Sequence, residues 1–198
     1  MSLIPAGTSR QPQAATGCLI AVVGPSGAGK DSLIDFARRH FAGQDGVHFA
    51  RRIITRDAQA GGEDHQPATP EEFEAWRATG RFAVDWQAHG LCYGIPADVC
   101  GLLGQGQVVI ANGSRSVLPR FADAFGCLLV VNVTARPEVL ADRLEARGRE
   151  SREDILARLA RSSLAIRGDY HVVEIDNSGL LEEAGRKFVA VIEDQLLR

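Results

Sequence analysis

Short apolar runs recur along the chain, and most are followed by a stretch in which apolar residues return every third or fourth position. Residues 18–23 (CLIAVV) form an unbroken apolar run that stops at a glycine, the mark of a buried strand. Residues 31–41 set Leu33, Ile34, Phe36, Ala37 and Phe41 among polar positions, the period of an amphipathic helix. The same reading predicts strands at 47–54, 107–111 (QVVIA), 127–133 (CLLVVNV) and 172–175, and helices at 116–124, 136–147, 152–167 and 180–197. From 55 to 94 no long periodic element is predicted apart from a helix at 69–78. There Thr69-Pro70-Glu71-Glu72 supplies a cap, a proline at the first position and early acids. Strands alternating with helices imply βαβ units, hence an α/β fold with a mostly parallel sheet flanked by helices. Such sheets bind ligands at the carboxyl ends of their strands.

Composition changes this picture little. At 198 residues, 45% hydrophobic and 24% charged, the chain suits a single domain with a real core. We expect that domain over 17–198. Residues 1–16, rich in Ser, Gln, Ala and Pro and without the apolar run of a signal peptide, read as a flexible tail. No apolar stretch approaches the ~20 residues that span a bilayer, so no membrane association is expected. A net charge of −3 argues against bulk nucleic-acid binding. Cys18, Cys92, Cys100 and Cys127 show no CxxC spacing and are expected to be free thiols in a reducing cytoplasm. Of the 22 basic residues only Lys30 and Lys187 are lysines, which draws attention to where Lys30 falls.

It falls in Gly24-Pro25-Ser26-Gly27-Ala28-Gly29-Lys30-Asp31-Ser32, directly after the first predicted strand and at the head of the first helix. This is the G-x-x-x-x-G-K frame of a P-loop. Its glycines let successive N–H groups converge on one anion, the helix adds its positive end, and the lysine supplies a point charge to the terminal phosphates of ATP. With 21 glycines and two lysines in 198 residues, the frame arises by chance about 0.02 times. The residue after the lysine is ordinarily Ser or Thr, a Mg²⁺ ligand; here it is Asp31, with Ser32 next. A carboxylate also suits Mg²⁺, so Asp31 either holds the metal, directly or through water, or only caps the helix.

From here the sequence resembles the guanylate-kinase-like branch of P-loop kinases, over nearly the whole chain from residue 17 onward. GPSGAGKDS resembles that branch's GPSGxGKST, Ile54-Thr55-Arg56 its TTR, Phe82 to Trp86 its F-x-E-W stretch, and Tyr93-Gly94 its YYG. Arg143-Leu144 through Arg147-Gly148 resembles its R-L-x-x-R-G lid, and Arg158-Leu159 its following helical arginine. The departures, GKDS, ITRDA and Asn112-Gly113-Ser114-Arg115, are similar to the ribose 1,5-bisphosphate phosphokinases of phosphonate breakdown. The resemblance implies ATP-dependent synthesis of 5-phosphoribosyl diphosphate, with ATP and Mg²⁺ bound at the P-loop. It implies an acceptor-binding region at about 55–96 and an arginine lid at about 147–153. Lys30, Arg147 and Arg158 are the implied catalytic residues. Thr55, Arg56, Tyr93, Asn112, Ser114 and Arg115 are the implied acceptor residues.

Chemistry gives partial support of its own. An acceptor that is itself a phosphate is already anionic and needs no general base, and no HRD-type loop is found. The charge brought in by ATP and a bisphosphate calls for arginine forks, for which Arg56, Arg115, Arg143, Arg147, Arg149, Arg152 and Arg158 are candidates. Blander roles remain open: a strand-end ion pair for Arg56, a turn hydroxyl for Thr55, core packing for Tyr93, and a solvated helix face for the lid arginines. Asp85 faces either a ribose hydroxyl or solvent. Trp76 and Trp86 read as packing residues, His65 and His89 as loop or surface residues, and 176–179 as a turn near the adenine side. Guanylate kinase activity is the nearest rival. A binding module without catalysis is disfavoured by the intact Lys30, and a GTPase switch by the lack of an NKxD loop.

Overall fold

The computed structural model describes residues 17–57, 63–146 and 165–198. The expected tail (1–16), the lid (147–153) with Arg147, Arg149 and Arg152, Arg158, and nearly all of the helix expected at 152–167 lie outside the described residues.

The core is a five-stranded sheet in the order β2-β7-β1-β8-β9, parallel throughout. Its strands are β1 (Leu19–Val23), β2 (Val47–Phe49), β7 (Val108–Asn112), β8 (Leu128–Thr134) and β9 (His171–Asp176). β1 lies in the middle and every one of its residues is buried, which is why it reads as an apolar run and not an alternation. Side chains still divide by parity. Ile20 and Val22 join Leu33, Ile34, Ala37, Phe188 and Ile192 of helices α1 (Lys30–His40) and α6 (Leu181–Leu196) on one face. Leu19, Ala21 and Val23 join Val99, Leu118 and Phe121 of α3 (Val99–Gly104) and α4 (Leu118–Ala124) on the other. α5 (Pro137–Glu145) follows β8. Every helix predicted within the described residues is present, with ends shifted by a few residues. Among those residues no helix is long and apolar enough to cross a membrane.

The second face also carries a smaller sheet, β4-β3-β6-β5, that the sequence pattern did not disclose. The strand predicted at 47–54 is in fact two. β2 pairs with β7 at the edge of the main sheet, whereas β3 (Ile53–Ile54) crosses to pair with β4 (Gln66–Pro67) and β6 (Leu91–Pro96). β5 (Phe82–Ala88) and β6 form an antiparallel hairpin through 55–94, where only a helix was expected. The hairpin turn is His89-Gly90, both at positive φ (52° and 75°), the conformation that matches the twist of two strands. Val84, Trp86 and Ile95 pack this sheet onto the core. The helix that was expected, α2 (Pro70–Ala78), begins in a full capping box: Thr69 Oγ1 accepts from the Glu72 N–H, and the Glu72 carboxylate accepts from the Thr69 N–H.

The cysteine expectation is corrected. Cys18 and Cys127 form a disulfide, while Cys92 and Cys100 are free. Leu19 and Leu128 are register partners on adjacent parallel strands, so the residues preceding them are neighbours, with Cα atoms 4.7 Å apart. A sequence separation of 109 carries no trace of that register.

Candidate active site

A cavity of about 260 Å³ opens at the carboxyl ends of β1 and β7, between the P-loop and the small sheet. Along one side run Gly24, Ser26, Gly27, Gly29, Lys30, Asp31 and Ser32. Gly29 sits at φ 87° at the head of α1, and a Cβ there would strike the Asn177 amide. No side chain caps this helix, so its first-turn N–H groups remain available to an anion. Lys30 Nζ donates to the carbonyl oxygens of Gly24 and Pro25, each at 3.1 Å. Its pKa is pushed down to about 8, first by burial, which the Asp31 charge partly offsets; Arg52 and Arg115 nearby push it down further. Burial likewise lowers the pKa of Arg115.

The loop is braced from behind. Asn177, 2% exposed at the end of β9, donates from Nδ2 to the Ala28 carbonyl at 2.8 Å. Arg143 of α5 donates to the Asn177 carbonyl at 2.9 Å and makes longer contacts to the Gly27 and Ala28 carbonyls. The 176–179 segment is therefore a turn with a structural task, and Arg143 lies on the loop itself.

Across the cavity a chain of polar side chains joins the P-loop to the small sheet. Asp31 Oδ1 accepts from Asn112 Nδ2 at 2.7 Å, and Glu63 Oε2 accepts from the same nitrogen at 3.1 Å. Asn112 ends β7, is 6% exposed, and its Oδ1 has no hydrogen-bond partner among the described residues. Glu63 in turn receives the Arg52 guanidinium, through Nε at 2.9 and 3.1 Å and through Nη2. The guanidinium carbon lies 5.1 Å from the Tyr93 ring centroid and 5.7 Å from that of Trp86. These two rings, cross-strand partners on β5 and β6, are stacked at 5.4 Å. Arg52 and Glu63 belong to no motif and were not singled out in the sequence. Arg52 is half of an Arg51–Arg52 doublet whose other member pairs with Asp64 at the surface, and nothing in the spacing separates them.

Of the expected acceptor residues, Arg56, Tyr93, Asn112 and Ser114 line the cavity. Arg115 follows in a single 3₁₀ turn, close enough to act on Lys30 electrostatically. Thr55 stands apart: its Oγ1 accepts from the Cys92 N–H at 2.8 Å, and it lines a neighbouring shallow groove with Asp57, Thr69 and Glu72. His65 lies in a loop, one of the two positions expected for it, but is not at the surface. It is 4% exposed and contacts the Arg56 guanidinium through Nδ1 and the Arg56 carbonyl through Nε2. Asp85 is occupied by Arg77, at 2.8 Å, and Arg120, at 3.4 Å.

Comparison with known proteins agrees with this geometry. The family model described as AAA domain matches residues 20–163. The ribose 1,5-bisphosphate phosphokinase PhnN of Rhizobium etli is 58% identical over 91% of this chain and 91% of its own length. The protein of the same name from Agrobacterium fabrum is 58% identical over 88% and 96%. Among solved structures, a guanylate kinase from Anaplasma phagocytophilum shares the fold with a TM-score of 0.64 at 15% identity, over 92% of this chain and 87% of that one. At the identity and coverage shared with the two phosphokinases, the chain is an ATP-binding P-loop kinase and belongs to the ribose 1,5-bisphosphate phosphokinase family.

Proposed function

We propose that the chain transfers the terminal phosphoryl group of ATP to the 1-phosphate of ribose 1,5-bisphosphate, giving 5-phosphoribosyl diphosphate and ADP. The observation that carries this reading is one continuous cavity with Lys30 on the nucleotide side and Arg52, Arg56 and Tyr93 on the acceptor side. Relatives at 58% identity bear the corresponding name. In the reaction an oxygen of the acceptor phosphate forms a bond to the γ-phosphorus while the bond to the β,γ-bridging oxygen breaks, and ADP leaves. The attacking oxygen is already anionic, so positioning and charge neutralisation suffice.

Lys30 exchanges the Gly24 and Pro25 carbonyls for phosphate oxygens. Arg56, Asn112, Ser114 and Arg115 hold the acceptor with Tyr93. Thr55 acts through Cys92, whose N–H it receives, by fixing the adjoining Tyr93. Arg147 and Arg158, which lie outside the described residues, take the role the resemblance gives them, neutralising charge on the transferring group. The oxygen-rich set of Asp31, Ser32 and the unpartnered Asn112 Oδ1 fits a hard cation. We assign Mg²⁺ to Asp31, where it would neutralise charge on the triphosphate. The enzyme acts on a small phosphorylated substrate and not on nucleic acid or membrane.

Mass detection of 5-phosphoribosyl diphosphate after mixing the protein with Mg-ATP and ribose 1,5-bisphosphate tests the reading, with GMP as the competing acceptor. Turnover of the bisphosphate is expected; rapid turnover of GMP alone would overturn it. Asp31→Ala is expected to weaken Mg²⁺ binding by roughly 10–100-fold; an unaltered metal requirement would reject its role as ligand.

A further inference from the structure

Arg52 and Glu63 form a strongly shielded ion pair beside the cavity, with side chains only 11% and 13% exposed. Burying two charges gains little net stability over a well-packed apolar pair, because desolvation offsets the attraction. What the pair does secure is a planar guanidinium at a fixed place, backed by the Trp86 and Tyr93 rings and spanned by two carboxylate oxygens. A fork that accepts a carboxylate in this manner also accepts a phosphate.

Such a group draws on every cation the cavity lining offers. The lining holds Lys30, Arg52 and Arg56 against Asp31 and Glu63, whereas a sugar bisphosphate carries about three to four negative charges near neutral pH. Lys30 is committed to the nucleotide. Arg52 does not touch the P-loop: it stands at the other end of the chain Asp31–Asn112–Glu63–Arg52, on the small-sheet side of the cavity, and acts on Lys30 only through space.

We infer, resting on the acceptor proposed above, that Arg52 grips the acceptor's second phosphate, the one that stays on C5. Glu63 holds the place of that phosphate on the guanidinium fork until the substrate displaces it. Arg52 is thus a specificity-determining residue. A dianionic phosphate competes successfully with the internal carboxylate, and an uncharged hydroxyl at the same position does not. The carboxylate, once displaced, still has the Asn112 amide to accept from, so it is not stranded.

Calorimetric titration of the full chain with ribose 1,5-bisphosphate and with ribose 1-phosphate, without ATP, tests this. The wild type is expected to prefer the bisphosphate by about 50-fold, the scale of one charge-assisted pair. Arg52→Gln is expected to bind the two sugars alike. Glu63→Gln removes the competing charge but keeps the shape, and is expected to bind the bisphosphate about tenfold more tightly. Circular dichroism establishes that each variant is folded; should Arg52→Gln fail to fold, Glu63→Gln decides alone, since unchanged or weaker binding there overturns the inference. A wild type that binds the bisphosphate while Arg52→Gln keeps the full preference overturns this inference and leaves the acceptor reading standing. A wild type that ignores the bisphosphate overturns both.

Discussion

Around Lys30 the chain follows main-chain geometry braced by two distant side chains, Asn177 and Arg143, whereas around Arg52 it is held by a network of side chains. The P-loop follows a fully buried strand and leads into a helix whose first turn is uncapped, so its place in the chain is written in local sequence. The small sheet opposite has strands as short as two residues. Its cavity edge is fixed by an ion pair, two stacked rings and an amide shared between carboxylates. On the proposed function the nucleotide side offers a general grip on triphosphate, and the acceptor side an adjustable one on which selectivity can be altered without disturbing the grip.

The sharpest way to break this contrast is Lys30→Ala. It is expected to lower turnover by about 1,000-fold with the circular dichroism spectrum unchanged; near-normal turnover would mean that the loop's amides suffice. Next comes Phe73→Ala. Phe73 is fully buried and stacks on Phe82 at 4.5 Å. Its loss is expected to cost about 3–4 kcal/mol in denaturant unfolding. If the two sides are as separable as they look, acceptor affinity should fall more than ATP affinity, and equal losses would argue against the division.

The pH dependence of ATP binding gives a smaller effect. Lys30 loses its proton at about 8 in the free protein, because burial disfavours the charge. Bound phosphates favour the charged form, so binding draws a proton above that point. ATP affinity should be level below pH 8 and fall about tenfold per unit above it, and a flat calorimetric profile to pH 9.5 would contradict this. The same depressed value means that the charge penalises folding fully below pH 8 and that this penalty lifts between about 8 and 10.5. Thr69→Ala, which removes the capping box of α2, should cost only about 1 kcal/mol, as measured by thermal unfolding.

These two sides were also unequally legible in the sequence. The parallel sheet and the P-loop could be read because apolar runs, glycines and one rare lysine all sit within a few residues of each other. The β5–β6 hairpin was missed although its residues alternate. Phe82 to Ala88 buries only Val84 and Trp86, too weak a stripe to stand out, and its turn is His-Gly and not the commoner Asn-Gly. Glu63 and Arg52 are eleven residues apart and meet only because β3 and β4 pair. Asn177 looked like an ordinary turn residue because its partner, Ala28, is 149 positions away. The Cys18–Cys127 pairing depends on strand register, which hydrophobic pattern alone cannot fix.

The Asn177 tether has one more consequence. A trans peptide is a rigid plane with its oxygen and hydrogen on opposite edges. Anchoring the Ala28 oxygen on Asn177 and Arg143 therefore turns the Gly29 hydrogen to the opposite edge of that plane. A residue at the end of β9 thereby sets the compass bearing of a donor in the P-loop.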